Sequence, residues 1–273
     1  LLRDVAPTSL SPYITNGFTH AGGLEDIDCD GDVDLLEGRL PNGIATATSA
    51  IQVNIGNGFF EENSDLLPAV MSEFGMYGTA FCDFDQDGDP DLYTSALGVP
   101  AGFEYADQLL INDGFGDFLL TTSRPSPESR VGEEIQRPAD MQCVDYDKDG
   151  FMDILKPNEA DIAFPAFELL HNNGDLSFTD VTDEMMPQTL AAAGSFRPWI
   201  VDLNGDNWPD ILAGGNGDTM RIYWNNGNGF DEYIFPPETA FDTRGAELTP
   251  GDYDGDGDLD IHISRSHFES FVL

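Results

Sequence analysis

The chain has 273 residues, 40% apolar and 11% aromatic, which is enough for a packed core and too much for a disordered chain. Against 51 Asp plus Glu stand 11 Lys plus Arg, a formal net charge of -40, which argues against nucleic acid or an anionic membrane as partner because both need a cationic face. The best apolar run, Ile162 to Leu170, is nine residues long and already contains Glu168, far short of the ~20 that span a bilayer, so no membrane insertion is expected.

The chain opens Leu1-Leu2-Arg3 with neither a Met nor a signal-peptide pattern, and reads as a processed product or a segment of something longer. Cys29, Cys82 and Cys143 show no C-x-x-C spacing and read as small buried residues rather than ligands or a disulfide framework.

One nine-residue pattern, Asp-x-Asp/Asn-x-Asp-Gly/Asn-x-x-Asp followed by an apolar residue, occurs five times: DIDCDGDVDL from Asp26, DFDQDGDPDL from Asp83, DYDKDGFMDI from Asp145, DLNGDNWPDI from Asp202 and DYDGDGDLDI from Asp252. The starts are 57, 62, 57 and 50 residues apart, the length of one four-stranded sheet with its turns.

In chain order, the first unit (about residues 7–64) carries its acidic hairpin and then a strand, IQVNIGNGF from Ile51, ending in a Gly-rich turn. In the second (about 65–123), Thr79-Ala-Phe-Cys leads into the hairpin, Leu92-Tyr-Thr leads out, and LLINDGFGDF from Leu109 supplies a third strand. The third (about 124–182) repeats this with Met141-Gln-Cys-Val, Ile154-Leu and LLHNNGDLSF from Leu169, and Phe178-Thr-Asp-Val-Thr opens a fourth strand. The fourth (about 183–236) has Pro198-Trp-Ile-Val, Ile211-Leu-Ala and IYWNNGNGF from Ile222. The Asn-Gly turns supply the positive backbone angles that tight hairpins need. Each unit is expected to be a four-stranded antiparallel meander.

The fifth unit (about 237–273) has Ile261-His-Ile and a third strand, Phe268 to Leu273, but no fourth. At the other end, Leu2-Arg-Asp-Val-Ala resembles the fourth strand of unit three, so residues 1–6 pairing with 268–273 would close a five-membered ring without free edges. The expected fold is therefore all-β, a β-propeller of four-stranded antiparallel blades over residues 1–273 with five blades visible. The alternatives are a fragment of a six- to eight-bladed propeller, or insertion of the first strand into the next molecule.

Four carboxylates within nine residues repel one another, and a bound cation makes the arrangement stable. Oxygen donors without His or Cys select calcium or magnesium over zinc or copper, and a flexible all-protein cage favours calcium. Side chains at loop positions 1, 3, 5 and 9 with the position 7 carbonyl give five donors, and a bidentate carboxylate or a water completes the 6 to 8 that calcium takes. Glycine at position 6, or Asn207 there in unit four, allows the sharp reversal. An EF-hand would need Glu at position 12; unit one has Glu37, but the others have Thr94, Lys156, Ala213 and Ile263, with strand-like flanks.

These residues resemble the FG-GAP/VCBS-type repeats of calcium-loop β-propellers, as in the head of integrin α subunits. The resemblance implies one calcium per hairpin, about five in all. The implied side-chain ligands are Asp26, Asp28, Asp30 and Asp34; Asp83, Asp85, Asp87 and Asp91; Asp145, Asp147, Asp149 and Asp153; Asp202, Asn204, Asp206 and Asp210; and Asp252, Asp254, Asp256 and Asp260. Carbonyls would come from Asp32, Asp89, Phe151, Trp208 and Asp258. Asn204 and Asn207 depart from the pattern and lower the charge of unit four, and no unit has a clear Phe-Gly-Gly-Ala-Pro segment.

The functional expectation is a non-enzymatic, extracellular or cell-surface calcium-binding propeller for adhesion, recognition of protein or carbohydrate, or surface assembly. Its partner would sit on the face opposite the hairpins, where Phe74, Tyr77, Phe103, Tyr105, Phe164, Phe196 and Phe241 lie in or beside long connections. A filament or matrix subunit polymerising with copies of itself is the second reading. A five-bladed glycosidase or lyase is the third, with Glu104, Asp107, Glu133, Glu134, Asp140, Glu159 and Asp161 as the available carboxylates. His20, His171, His262 and His267 read as strand or turn residues rather than catalysts.

Overall fold

The computed structural model describes residues 18–40, 49–73, 75–97, 107–121, 141–157, 167–187, 198–213, 220–235, 247–264 and 271–272. Nineteen strands in these residues fall into four four-stranded sheets and one three-stranded sheet, each an antiparallel meander. The first sheet is β1 (Phe18–Glu25), β2 (Asp34–Leu40), β3 (Ala50–Asn54) and β4 (Phe60–Glu62). The second is β5 (Gly75–Cys82), β6 (Asp91–Leu97), β7 (Gln108–Asn112) and β8 (Phe118–Leu120). The third is β9 (Gln142–Val144), β10 (Asp153–Pro157), β11 (Phe167–Asn172) and β12 (Phe178–Asp180), followed by the one-turn helix α1 (Thr182–Met185).

The fourth sheet is β13 (Trp199–Val201), β14 (Asp210–Ala213), β15 (Arg221–Asn225) and β16 (Phe230–Ile234). The fifth is β17 (Glu247–Gly251), β18 (Asp260–Ser264) and β19 (Phe271–Val272). In every sheet the acidic nonapeptide joins the first strand to the second, as expected. This is the strand order and hairpin placement of propeller blades. The pairing expected of residues 1–6 lies outside the described residues.

The chain divides into two compact units, Leu1–Arg137 with Asn173–Phe178, and Pro138–Asn172 with Thr179–Leu273. In the first, Ile27, Leu36, Ile51, Met76, Leu92, Leu110 and Phe118 form one core cluster drawn from two sheets. In the second, neighbouring residues on one strand serve different layers. Ile211 packs with Leu155, Phe167 and Tyr223, whereas the next residue, Leu212, packs with Ile222, Leu248 and Ile261. Alternate side chains of a strand point to opposite faces. A sheet covered on both faces therefore reads as a continuous apolar run, here Ile211-Leu212-Ala213, rather than as apolar-polar alternation.

One charged pair is placed wholly inside the second unit. Lys156 on β10 and Glu168 on β11 are directly opposite in register, and the Lys156 Nζ donates to Glu168 Oε2 at 3.1 Å. Both side chains are buried, and Glu168 Oε1 is buried with no hydrogen-bond partner. Removing one member of such a pair strands the other charge, whereas replacing both with apolar groups does not. Lys156→Met is expected to cost about 3 to 5 kcal/mol, and Lys156→Met with Glu168→Leu to recover most of it, read as midpoints of urea unfolding in calcium-containing buffer.

Candidate metal loops

The five nonapeptides share one hydrogen-bond scaffold. The position 6 N–H donates to the position 1 carboxylate in every loop: Gly31 to Asp26 at 3.0 Å, Gly88 to Asp83 at 3.1 Å, Gly150 to Asp145 at 3.2 Å, Asn207 to Asp202 at 2.7 Å and Gly257 to Asp252 at 3.2 Å. The position 5 N–H donates to the side-chain oxygen at position 3, as from Asp87 to Asp85 at 3.2 Å and from Asp206 to Asn204 at 2.8 Å. The position 7 N–H donates to the position 5 carboxylate, as from Phe151 to Asp149 at 2.8 Å. Short acidic side chains in these roles replace the backbone ladder that the hairpin tip lacks.

Two positions take the left-handed backbone region. Position 6 has φ of 95°, 100°, 96°, 71° and 98° in the five loops, as expected for glycine and Asn207. Position 4 does so too, at Cys29, Gln86, Lys148, Gly205 and Gly255. The sequence carries that signal only in the last two loops. Position 4 also reaches forward within each unit: Cys29 Sγ donates to Asp89 Oδ1 at 3.3 Å, and the Lys148 ammonium lies 3.9 Å from the Trp208 ring centroid. Both acceptors stand at position 7 of the following loop. The bond to Asp89 and partial burial push the Cys29 thiol up to about 11.

Position 9 is the structural centre of each hairpin. Asp34, Asp91, Asp153 and Asp210 are 0–1% exposed, although each is a carboxylate. Each accepts the N–H of loop position 2 on one oxygen and the N–H of the asparagine that ends the third strand on the other. Asp34 takes Ile27 at 3.0 Å and Asn54 at 2.7 Å; Asp91 takes Phe84 at 2.9 Å and Asn112 at 3.0 Å. Asp153 takes Tyr146 at 3.2 Å and Asn172 at 2.8 Å; Asp210 takes Leu203 at 3.0 Å and Asn225 at 2.8 Å. In the fifth loop the Tyr253 N–H donates to Asp260 at 2.9 Å. One side chain thus ties the hairpin to the neighbouring strand.

The carboxylates also converge. Oxygens from positions 1, 3 and 9 lie within 4.8 Å of one another in four loops: Asp26, Asp28 and Asp34; Asp83, Asp85 and Asp91; Asp145, Asp147 and Asp153; Asp252, Asp254 and Asp260. Asp26 Oδ1 and Asp145 Oδ1 are buried without a hydrogen-bond partner, while their second oxygens accept the position 6 amides. A lone pair held so, beside two further carboxylates, fits a hard cation. Burial first, and the neighbouring carboxylates with it, raises Asp28, Asp85, Asp34 and Asp210 above the ordinary carboxylate range. Asp91 is pushed up to about 7, chiefly by burial.

The position 5 carboxylates stand outside these triplets, with one oxygen turned to the position 7 amide. In the fourth loop Asn204 Nδ2 donates to Asp206 Oδ2 at 3.0 Å, so that loop relieves part of its repulsion internally. The third loop faces a residue that the sequence marked only as a strand or turn histidine, and that does lie on β11. His171 Nδ1 is 3.1 Å from Asp153 Oδ1 and 3.5 Å from Asp147 Oδ2, and its Nε2 is 3.9 Å from Asp149 Oδ2. Its signal was its place just before Asn172, where the other sheets have Val53, Ile111 and Trp224.

Other expectations change. Cys29 is exposed and free, and Cys82 and Cys143 are disulfide-bonded, so the three do not behave as inert buried thiols. Tyr77, expected to be available for stacking, is buried. Asp107 is buried and accepts the Tyr93 hydroxyl at 2.6 Å. Phe74, Phe103, Tyr105, Phe164, Phe196 and Phe241 lie outside the described residues, as do Glu104, Glu133, Glu134, Asp140, Glu159 and Asp161.

Asp91→Ala leaves two buried N–H groups without an acceptor and is expected to cost about 2 to 5 kcal/mol even in chelator, whereas Asp87→Ala costs under about 1 kcal/mol there; chelator-containing urea titrations of both variants measure this. The pH dependence follows from Asp91 as well. Its folded-state value lies above the unfolded ~3.9, so its contribution is complete below pH ~4 and is lost as pH rises through about 7. Melting temperatures in chelator are therefore expected to fall from pH 4 to 7.

Compared with known protein families, residues 202–263 match the FG-GAP-like repeat. The sequence matches no curated protein. Among solved structures, the chain is similar to an Agrocybe aegerita lectin described as recognising non-reducing terminal N-acetylglucosamine, with a TM-score of 0.57 and 17% identity over 92% of this chain. It is also similar to the V. cholerae biofilm matrix protein Bap1, with a TM-score of 0.50 and 15% identity over 94% of this chain. The likeness spans 61% of the lectin chain and 37% of Bap1. At such identities the likeness concerns the fold alone. The chain is thus an all-β protein of β-propeller type that carries an FG-GAP-like repeat over residues 202–263, the stretch from the fourth loop into β18.

Proposed function

We propose that the chain is a calcium-stabilised β-propeller module that works outside the cell by recognition, in adhesion or surface assembly, rather than by catalysis. The observation that carries the calcium reading is the convergence of carboxylates from positions 1, 3 and 9 on one hydrogen-bond scaffold repeated along the chain. Oxygen donors of this kind, one of them buried and two flanking a tight turn, suit a flexible calcium cage. Within it, positions 1, 3 and 9 would supply carboxylate oxygens, position 5 its remaining oxygen, and position 7 its carbonyl. The ion would supply the positive charge that the buried carboxylates lack.

The energetic scale supports a structural role. A ligand that binds only the folded state stabilises it by about 2.7 kcal/mol at one-hundred-fold excess over its Kd. Several such sites together approach the ~5 to 15 kcal/mol by which an ordinary domain is stable. Five calcium ions would take the formal charge from -40 to -30, since 5 × 2 is 10. Extracellular calcium is millimolar, high enough to fill sites of moderate affinity.

Recognition is favoured by the lectin and matrix-protein likenesses together with the sheet architecture, and by an acidic surface that suits neither nucleic acid nor anionic lipid. The partner, carbohydrate or protein, would engage the face opposite the acidic hairpins. Native mass spectrometry in calcium is expected to show about five ions per chain, and melting is expected to be substantially higher in millimolar calcium than in chelator. Coincident melts and an ion-free mass would overturn the calcium reading. A glycan array in calcium, with N-acetylglucosamine-terminated chains among its probes, tests recognition; conversion of a glycan rather than its retention would favour an enzyme.

A further inference from the structure

We propose that adjacent metal loops are coupled in pairs, the first with the second and the third with the fourth, through the asparagine that ends the third strand of the following sheet. This rests on the reading of the loops as calcium sites. In the first pair, Asp34 Oδ2 accepts the Ile27 N–H at 3.0 Å, the Ile27 carbonyl accepts Asn112 Nδ2 at 2.8 Å, and the Asn112 N–H donates to Asp91 Oδ1 at 3.0 Å. In the second, Asp153 Oδ2 accepts the Tyr146 N–H at 3.2 Å, the Tyr146 carbonyl accepts Asn225 Nδ2 at 2.8 Å, and the Asn225 N–H donates to Asp210 Oδ1 at 2.8 Å. The same three links join the same positions twice, across 85 and 79 residues of chain at the central bond.

The asparagine orientation is set by its other end. Asn112 Oδ1 accepts the N–H groups of Gly114 and Gly116, both at 3.1 Å, and Asn225 Oδ1 accepts Gly227 at 2.9 Å. The amide nitrogen is therefore left to donate, to the preceding loop in both pairs and, from Asn112, also to the Pro90 carbonyl of its own loop at 3.2 Å. Ile27, Asn112, Tyr146 and Asn225 are 0–4% exposed, so water does not replace a link that is pulled apart.

The link starts beside the carboxylates of the earlier loop and ends on the position 9 carboxylate of the next. Ile27 lies between Asp26 and Asp28, and Tyr146 between Asp145 and Asp147, each pair being position 1 and position 3 carboxylates of one triplet. An ion that draws those two side chains together fixes the intervening backbone carbonyl, which holds the asparagine, which aims the position 9 carboxylate of the next loop. Linkage makes the effect reciprocal: filling either loop favours the other. Asn112 and Asn225 act as positioning residues.

The test uses terbium as the probe on the full chain. All three tryptophans, Trp199, Trp208 and Trp224, lie in the segment of the fourth sheet, and Trp208 is position 7 of its loop. Tryptophan-sensitised terbium emission therefore reports the fourth loop together with the third, whose Lys148 lies 3.9 Å from the Trp208 ring, and the phase of the titration that Asp206→Asn removes is the one that belongs to the fourth. Asp147→Asn in the third loop is expected to weaken terbium binding at the fourth by about fivefold, the factor that one ordinary buried hydrogen bond carries. Asp28→Asn, the same change in the first loop, should leave that affinity within about twofold. With Asn225→Ala the fourth loop should bind more weakly at the outset, and adding Asp147→Asn should change it by less than about twofold.

Unchanged affinity in Asp147→Asn with Asn225 present overturns the coupling, and that comparison needs no Asn225 variant to fold. If the unaltered chain shows neither sensitised emission nor bound calcium by native mass spectrometry, the calcium reading itself fails and the coupling with it. Calcium bound normally with no effect of Asp147→Asn removes the coupling alone.

Discussion

The structure depends on how it accommodates carboxylates that the chain crowds together. In four of the five hairpins the position 9 aspartate is buried, and two backbone amides turn toward it. Those amides hold the carboxylate in place yet carry no full positive charge. Burial and neighbouring aspartates together keep the group above its ordinary range. The hairpin is thus folded and electrostatically incomplete at once, which is the condition under which a cation contributes most to stability.

The same aspartate explains why the loops are structural parts of the sheets. It joins the first turn of the hairpin to the end of the third strand, so the acidic loop and the Asn-Gly turn form a single unit. The asparagines extend that unit to a neighbouring sheet within each half of the chain, at Ile27 with Asn112 and at Tyr146 with Asn225. Contacts from loop position 4 to position 7 of the next loop, Cys29 to Asp89 and Lys148 to Trp208, run alongside. Sheet packing and loop packing therefore reinforce each other.

The loops are not equivalent. The fourth softens its repulsion with Asn204, and the third places His171 against Asp147, Asp149 and Asp153. A repeat that keeps one scaffold while varying individual donors gives each site its own electrostatic setting on a shared backbone. The buried Lys156–Glu168 pair of the third sheet shows the same economy of charge away from the loops, one of two lysines in the chain being placed opposite a glutamate.

The sequence by itself determined the number and place of the acidic hairpins, the strands that flank them and the glycine or asparagine at position 6, because each follows from residues within a few positions of one another. Local spacing sets turn geometry, and alternating or continuous apolar runs set strands. It also pointed to side chains at positions 1, 3, 5 and 9, of which 1, 3 and 9 converge in four loops. Only the tertiary structure decided that position 9 is a buried acceptor for two separate segments, that Asn112 and Asn225 serve the preceding loop as well as their own turn, and that His171 faces the third hairpin. Those bonds join residues up to 85 positions apart, and their partners are chosen by how sheets stack, which no local pattern encodes.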